Sequence, residues 1–236
     1  MTESFEPPQR TDIDPSTRAI FGARWTVGQL GAVAGTIPYL QAVLCEEAQA
    51  KADADPQLGY AILLHRMLYA QNLAVQIASI MDNNRNSVSL HRVSALHRGR
   101  RVIADEVYRY AASEHQRVGG SLSRERFDDL IGLIARRTAE LRAMPAYRNV
   151  EGYRNRAVAH MTIDDYRTSF TDMIEVANNL FHVGDILQGL FKNGVDQRNF
   201  TGLYQCHLLS AIELYALAEP LETRFTRMTI EFRPRS

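Results

Sequence analysis

The sequence predicts an all-α protein that folds as a single bundle of about six or seven helices. Apolar residues recur at three- and four-residue spacing along most of the 236 residues, which is the period of an amphipathic helix. The alternation typical of a strand occurs only near the end, at Met228, Ile230 and Phe232, where a short strand is an open alternative. Hydrophobic residues make up 45% of the chain and charged residues 23%, a globular composition that excludes global disorder.

The chain divides into three parts. Residues 1–17 are predicted to be a flexible tail, because prolines interrupt them and few apolar side chains could anchor them. Residues 18–220 are predicted to form the helical domain, and residues 221–236 a C-terminal extension. The first helical region is expected over residues 18–52, with a kink or break at Pro38.

The first helical region contains an uncharged stretch, residues 25–45, that is about as long as a membrane span. Polar residues recur at every turn of it, so we expect a buried helix and no membrane. Acidic residues in the N-terminal tail do not fit a signal peptide, and Cys45 and Cys206 are expected to be reduced core residues. These features predict a cytoplasmic protein. The uncharged stretch should also supply apolar surface to a dimer interface.

The helical period is clearest over residues 58–81. The apolar positions that define it are Ile62, Leu63, Met67, Leu68, Leu73, Ala74, Ile77, Ile80 and Met81. This second helix ends at Asp82, where a run of polar residues predicts a loop. Ser87 or Ser89 can cap the short helix that follows, and Gly99 ends that helix.

Further helices follow towards the C-terminus. Pro145 separates two of them. Thr162 and Asp165 resemble a capping box and are predicted to open the longest one, which Gly194 ends. The predicted ranges are 101–116, 123–144, 153–161, 162–192 and 201–218.

Charge is balanced overall but uneven along the chain. There are 27 basic and 27 acidic residues, which excludes a uniformly basic nucleic-acid coat but not a local basic site. All but two of the basic residues are arginines, which bind phosphate in a fork, although codon bias in a GC-rich genome gives the same composition. One segment, residues 83–104, has no acidic residue. Its arginines are Arg85, Arg92, Arg98, Arg100 and Arg101.

The residues best suited to catalysis lie within residues 153–160. Arg154, Asn155, Arg156 and His160 combine a histidine for proton transfer near neutral pH with arginines that can stabilise a pentacoordinate phosphate. These are the parts needed to cleave RNA through its own 2′-hydroxyl without a metal. On a straight helix Arg154 and His160 lie about 120° apart, so a helix start, a bend or a second subunit must bring them together. An arginine-rich solvated face with one histidine is the alternative.

The sequence does not match the motifs of helical metal sites or of phosphate-binding loops. None of the seven histidines stands in the spacing that a helical metal site requires, so no metal and no cofactor are expected. The glycines Gly31 and Gly35 lack both the lysine and the preceding strand of a P-loop.

Arg154 and Asn155, followed after four further residues by His160, resemble the R-x(4–6)-H motif of the HEPN superfamily. The alanine before the histidine is also similar to the "AH" ending common in that family. A second feature resembles one branch, the AbiU-type abortive-infection proteins: a helix that ends at Asp82, then a polar loop and a Ser-Leu helix start. The order of the elements fits as well, and the resemblance covers residues 58–190.

The resemblance implies a helical bundle, a homodimer with two motifs facing each other, and a metal-independent endoribonuclease or toxin of prokaryotic defence. A nucleotidyltransferase-type antitoxin would be a partner in a toxin–antitoxin system. His160 would act as general base or acid, Arg154 would stabilise the transferring phosphate, and Asn155 would orient His160. Arg156 would be a second phosphate contact and Asp82 would complete the polar shell. The alternative is a non-catalytic helical dimer that binds RNA, a nucleotide or a protein partner.

The acid-free segment directly follows Asp82, so the same order of elements puts it near the proposed site. Arg98, Arg100 and Arg101 are therefore predicted to bind RNA through its phosphates. A solvated helix face with an arginine-rich loop is the alternative.

Overall fold

The helices account for almost all of the structure that the computed structural model describes, which comprises residues 14–84, 87–99, 101–155, 168–192 and 199–217. These parts of the chain contain nine α-helices, a 3₁₀ turn and no strand, which confirms the predicted all-α fold. The helices are α1 (Pro15–Leu44), α2 (Glu46–Ala54), α3 (Pro56–Ile80), α4 (Leu90–Ser94), α5 (Arg101–Arg117), α6 (Arg124–Ala143), α7 (Pro145–Tyr153), α8 (Phe170–Phe191) and α9 (Phe200–Leu214), and the 3₁₀ turn is Ala95–His97.

α1 is the central helix of the core and packs most extensively against α3 and α9. Val27, Leu30 and Val33 are fully buried, and the Tyr204 hydroxyl of α9 donates to Gln41 Oε1 of α1 at 2.7 Å inside the core. α1 is long and apolar enough to cross a membrane, but 67% of its most apolar window is buried inside the bundle. The uncharged stretch is thus a core helix, as expected. Most of this stretch is buried within the chain, which leaves little of its apolar surface for the predicted dimer interface.

The start of α1 differs from the sequence prediction. The helix begins at Pro15, three residues earlier than expected, because Asp14 caps it. The Asp14 carboxylate accepts from the backbone nitrogens of Ser16 and Thr17 at 2.9 and 3.0 Å, and proline at the first helical position has no N–H to satisfy. The helix continues through Pro38 and ends at Leu44, where Cys45 is extended and starts α2.

The bounds of α3 agree with the predicted second helix to within two residues, but its two halves differ in burial. The C-terminal half packs into the core through Leu73, Ala74, Ile77 and Ile80, which are at most 1% exposed. Several apolar residues of the N-terminal half, by contrast, face solvent. We call these residues the α3 apolar face: Tyr60, Leu63, Leu64, Met67 and Leu68.

The C-terminal helices begin and end at different residues from those predicted. α8 begins at Phe170 because Ser169 and Asp172 form a capping box, each side chain accepting from the other residue's backbone N–H. The predicted pair of Thr162 and Asp165 lies outside the described residues. α9 ends at Leu214, and the chain is tied to α2 just beyond it. Lys51 Nζ of α2 donates to the carbonyl oxygens of residues 215 and 216.

The two cysteines are both free, but the prediction that they are core residues is wrong for Cys206. Cys206 is exposed on α9, whereas Cys45 is partly buried and its sulfur accepts from the Ala48 backbone nitrogen at 3.3 Å, capping α2. The predicted N-terminal tail, except for residues 14–17, and the strand alternative at 228–232 lie outside the described residues.

Candidate functional site

The chain turns sharply between α3 and α4 at Asp82. The Asp82 carboxylate accepts from the Asn84 backbone nitrogen at 3.0 Å, and its carbonyl oxygen accepts from the hydroxyl groups of Ser87 and Ser89. Ser89 precedes the first residue of α4, but its hydroxyl closes the loop rather than capping the helix. These bonds hold the polar loop that the sequence predicts against the start of α4.

Arg142, in the last turn of α6, connects this loop to α7. Its guanidinium donates to the carbonyl oxygen of Met81 at 3.1 Å, one residue before Asp82. The same positive charge lowers the pKa of His91 in α4 and opposes the rise in the pKa of Tyr147 in α7. Arg142 therefore lies within electrostatic reach of the end of α3, the first turn of α4 and the first turn of α7.

His91 has a depressed pKa. Partial burial lowers it most, the charges of Arg142 and Arg92 lower it further, and the nearby Asp82 carboxylate acts in the opposite direction. At neutral pH the imidazole is therefore uncharged and can accept a proton or a hydrogen bond.

Arg154 acts electrostatically on Tyr147 of α7. The buried Tyr147 hydroxyl donates to Glu151 Oε1 at 3.0 Å, and burial, followed by the Glu151 charge, raises the pKa of Tyr147. The charges of Arg142 and Arg154 both oppose that rise, so both arginines act electrostatically on the same phenol. We call this group the Arg142 cluster: Asp82, His91, Arg142, Tyr147, Glu151 and Arg154.

The backbone changes its winding where the predicted motif begins. At Arg154 and Asn155 the hydrogen-bond pattern widens from that of an α-helix to that of a π-turn. Turns of this kind occur often at functional sites. Asn155 itself is exposed. Arg156 and His160 lie outside the described residues.

A groove adjoins the Arg142 cluster between α6 and the segment formed by α4 and the 3₁₀ turn. Its volume is about 940 Å³, within the range of ligand-binding clefts. We call it the α4–α6 groove and define it by three kinds of lining residue. Its basic residues are His91, His97, Arg98, Arg136 and Arg142; its acidic residues are Asp128, Asp129 and Glu140; its small residues include Ala95, Gly132, Ala135 and Ala139.

The unpaired charge in this groove is mostly positive. Asp128 forms an ion pair with Arg124 at 2.9 Å, and Glu140 with Arg137 at 3.2 Å, so both carboxylates are partly neutralised. The exposed guanidinium groups of Arg98 and Arg136 form no ion pair within the described parts of the chain.

The predicted arginine track is divided by the fold. Arg98 lines the α4–α6 groove, whereas Arg101 starts α5 and lies near Asp105. The pKa of Asp105 is lowered chiefly by a hydrogen bond from Arg124, and the charge of Arg101 adds to that effect. The segment that has no acid in the sequence thus has one beside it in space. Arg100 lies outside the described residues.

Among the residues that the structure describes, no three His, Cys, Asp or Glu side chains come together as a metal ion would require. Comparisons with protein-family models, with curated proteins and with solved structures find no match to the chain.

Proposed function

We propose that this chain is a HEPN-type, metal-independent endoribonuclease that acts in the cytoplasm as a toxin of a prokaryotic defence system. One observation supports the proposal most: Arg142 acts at both ends of the Arg142 cluster. It donates to the Met81 carbonyl beside Asp82, and its charge, like that of Arg154, acts on the Tyr147 phenol. The resemblance assigns Asp82 and Arg154 to one polar site, although they are distant in sequence and follow different helices. Arg142 acts on the end of α3, on α4 and on α7, and it adjoins the groove in which Arg98 and Arg136 form no ion pair with any described residue. This arrangement suits the binding of a phosphodiester.

The proposed reaction is an attack of the RNA 2′-oxygen on the neighbouring phosphorus. The 2′-hydroxyl loses its proton, the bond from phosphorus to the 2′-oxygen forms, and the bond to the 5′-oxygen breaks. The departing 5′-oxygen takes up a proton, leaving a 2′,3′-cyclic phosphate and a 5′-hydroxyl. His160 would transfer the proton, with Asn155 orienting it. Arg154 and Arg156 would offset the negative charge on the phosphate.

We further propose that the protein is a homodimer in which the α3 apolar faces of two copies pack together. The face has no charged side chain, so the same face of a second copy meets no like charge. Exposed apolar patches of this kind are typical of protein interfaces. Leu64 and Asp82 are about 27 Å apart along the helix direction, at 1.5 Å per residue. A dimer through the α3 apolar face therefore leaves the second copy far from Asp82, and each chain would complete its own motif through the widened turn at Arg154. A nucleotidyltransferase-type antitoxin would bind as a separate partner.

Incubation of purified protein with total RNA in EDTA tests the catalytic proposal. We expect cleavage in EDTA, 2′,3′-cyclic phosphate ends, and loss of activity by about 100-fold or more in His160→Ala and Arg154→Ala. Arg148→Ala is the matched control, because Arg148 is an exposed arginine of α7 that bonds only the Ala143 carbonyl. Its activity should stay near that of the wild type, and the melting temperatures of all variants should be similar. Cleavage that needs added Mg²⁺ would contradict the proposal.

The α4–α6 groove also favours the second candidate, a non-catalytic helical dimer that binds RNA. Binding and cleavage measured in the same samples distinguish the two functions. If the wild type binds RNA but releases no cleaved product, and if His160→Ala binds equally well, the binding protein is the correct description.

A further inference from the structure

The α4–α6 groove runs along the outer side of α6 towards the Arg142 cluster. Asp129 lies near its beginning and Arg142 at its end, which is about 20 Å of helix at 1.5 Å per residue. Arg142 lines the groove and also belongs to the Arg142 cluster, so the groove and the cluster share this residue.

Arginines stand on both walls of the groove. Arg98 follows the 3₁₀ turn on one wall, and Arg136 projects from α6 on the other. Both are exposed and have no ion-pair partner within the described residues, so each guanidinium fork can donate hydrogen bonds to a phosphate. The partly buried Arg142 supplies a third guanidinium at the end that faces the cluster.

The rest of the lining suits a nucleotide strand. The His97 ring lies directly on the backbone of α6, because a Cβ added to Gly132 would be 3.4 Å from the ring. His97 is exposed, so the other face of its imidazole can stack on a base. The small, exposed side chain of Ala139 leaves room for a sugar–phosphate backbone to approach. Asp129 can accept a hydrogen bond from a 2′-hydroxyl or a base amino group.

We propose that the α4–α6 groove is the track on which single-stranded RNA lies on its way to the Arg142 cluster. Arg98 and Arg136 bind consecutive stretches of phosphate, and His97 stacks on a base. This inference rests on the proposed function, since it names the surface that presents the substrate to that site. An acidic peptide is the weaker fit, because its carboxylates offer neither a ring to His97 nor a donor to Asp129.

Binding measured without cleavage tests the track. The probe is a short fluorescein-labelled oligouridylate, followed by fluorescence anisotropy in the His160→Ala background. The double variant Arg98→Glu/Arg136→Glu should raise Kd by about tenfold or more at moderate salt. It should also reduce the slope of log K against log salt by about 1.4, at about 0.7 for each lost single-strand phosphate contact. His97→Ala should raise Kd by about fivefold through lost stacking.

The matched control is Arg109→Glu/Arg126→Glu, which makes the same change in charge at two exposed arginines outside the groove. Screening over about 8 Å at physiological salt should limit its effect to less than about threefold. If the double groove variant loses its fold, Arg98→Gln/Arg136→Gln replaces it. This variant loses the same two phosphate contacts, so the expected change in slope is again about 1.4. The comparison is valid when the groove and control variants have the same melting temperature as their parent protein.

Three outcomes overturn the track: no binding of the oligouridylate by the wild-type groove, an unchanged salt slope in the groove variant, or tighter binding of polyglutamate than of oligouridylate. Failure of the proposed function has a different signature. In that case binding still depends on Arg98 and Arg136, but no cyclic phosphate forms in the wild type. If the track alone fails, RNA is cleaved with an unchanged KM in the groove variants.

Discussion

The two halves of α3 are equally apolar in sequence but have different surroundings. The C-terminal half is enclosed by the bundle and ends at the loop that Arg142 holds through the Met81 carbonyl. The N-terminal half packs on α1 and α2 through one side, while Tyr60, Met67 and Leu68 remain at least half exposed on the other. One helix therefore serves as a core element at one end and as a free surface at the other. The hydrophobic period alone does not distinguish these roles.

The largest expected effect is a difference in stability between two leucine substitutions in α3. Leu73→Ala removes a fully buried side chain and should lower the free energy of unfolding by about 2–5 kcal/mol. Leu64→Ala removes a side chain that is 43% exposed and should cost less than about 1 kcal/mol in dilute solution. Urea denaturation monitored by circular dichroism measures both. The measurement is made below the concentration at which the chain dimerises, and equal costs there would contradict the difference in burial between the two halves.

A smaller effect is expected on assembly. Leu64→Glu/Met67→Glu places charges on the α3 apolar face and should convert a dimer into a monomer at micromolar concentration, as measured by sedimentation velocity. Asn72→Glu is the control, because it adds a charge to an exposed position of the same helix beyond the face. A wild-type protein that sediments as a monomer would refute the proposed homodimer.

The smallest expected effect concerns pH and the C-terminal end of α3. Because the pKa of His91 is lowered below its ordinary value of 6.5, the unfolded chain binds a proton that the folded chain resists. Stability should therefore fall as the pH drops below about 6.5, and this part of the dependence should be absent in His91→Gln. Arg142→Met removes a positive charge and should raise the pKa of His91, which NMR titration of the ring proton detects. A pKa that falls or stays the same would show that Arg142 does not act on His91.

Local signals were sufficient for much of the fold. The predicted range 123–144 agrees with α6, and the Ser123 hydroxyl caps this helix by accepting from the Arg126 backbone nitrogen at 3.1 Å. The start of α8 is not predicted correctly, because the capping-box pattern at Thr162 looks as good in sequence as the one that forms at Ser169. Where two local signals compete, packing of the following helix decides between them.

The candidate site was predictable only in part. Arg154 is predicted from its residue type and its neighbours in sequence, whereas Asp82 is predicted through a resemblance that relies on short motifs. Arg142 and His91 were missed because no spacing in the sequence indicates that the last turn of α6 contacts the end of α3. Arg136 was missed for a related reason, since it stands outside the acid-free segment that drew attention to Arg98. Long-range contacts of this kind depend on how the helices cross.

The pairing of α1 with α9 has a consequence for synthesis. The helix at the centre of the core begins at Pro15, but one of the two helices that bury it most extensively ends at Leu214. Contacts between such distant parts of a chain form late, because a long loop must close first. A ribosome must therefore complete nearly the whole of this sequence before the nascent chain can cover this central helix. Until then α1 is a segment that a chaperone would recognise.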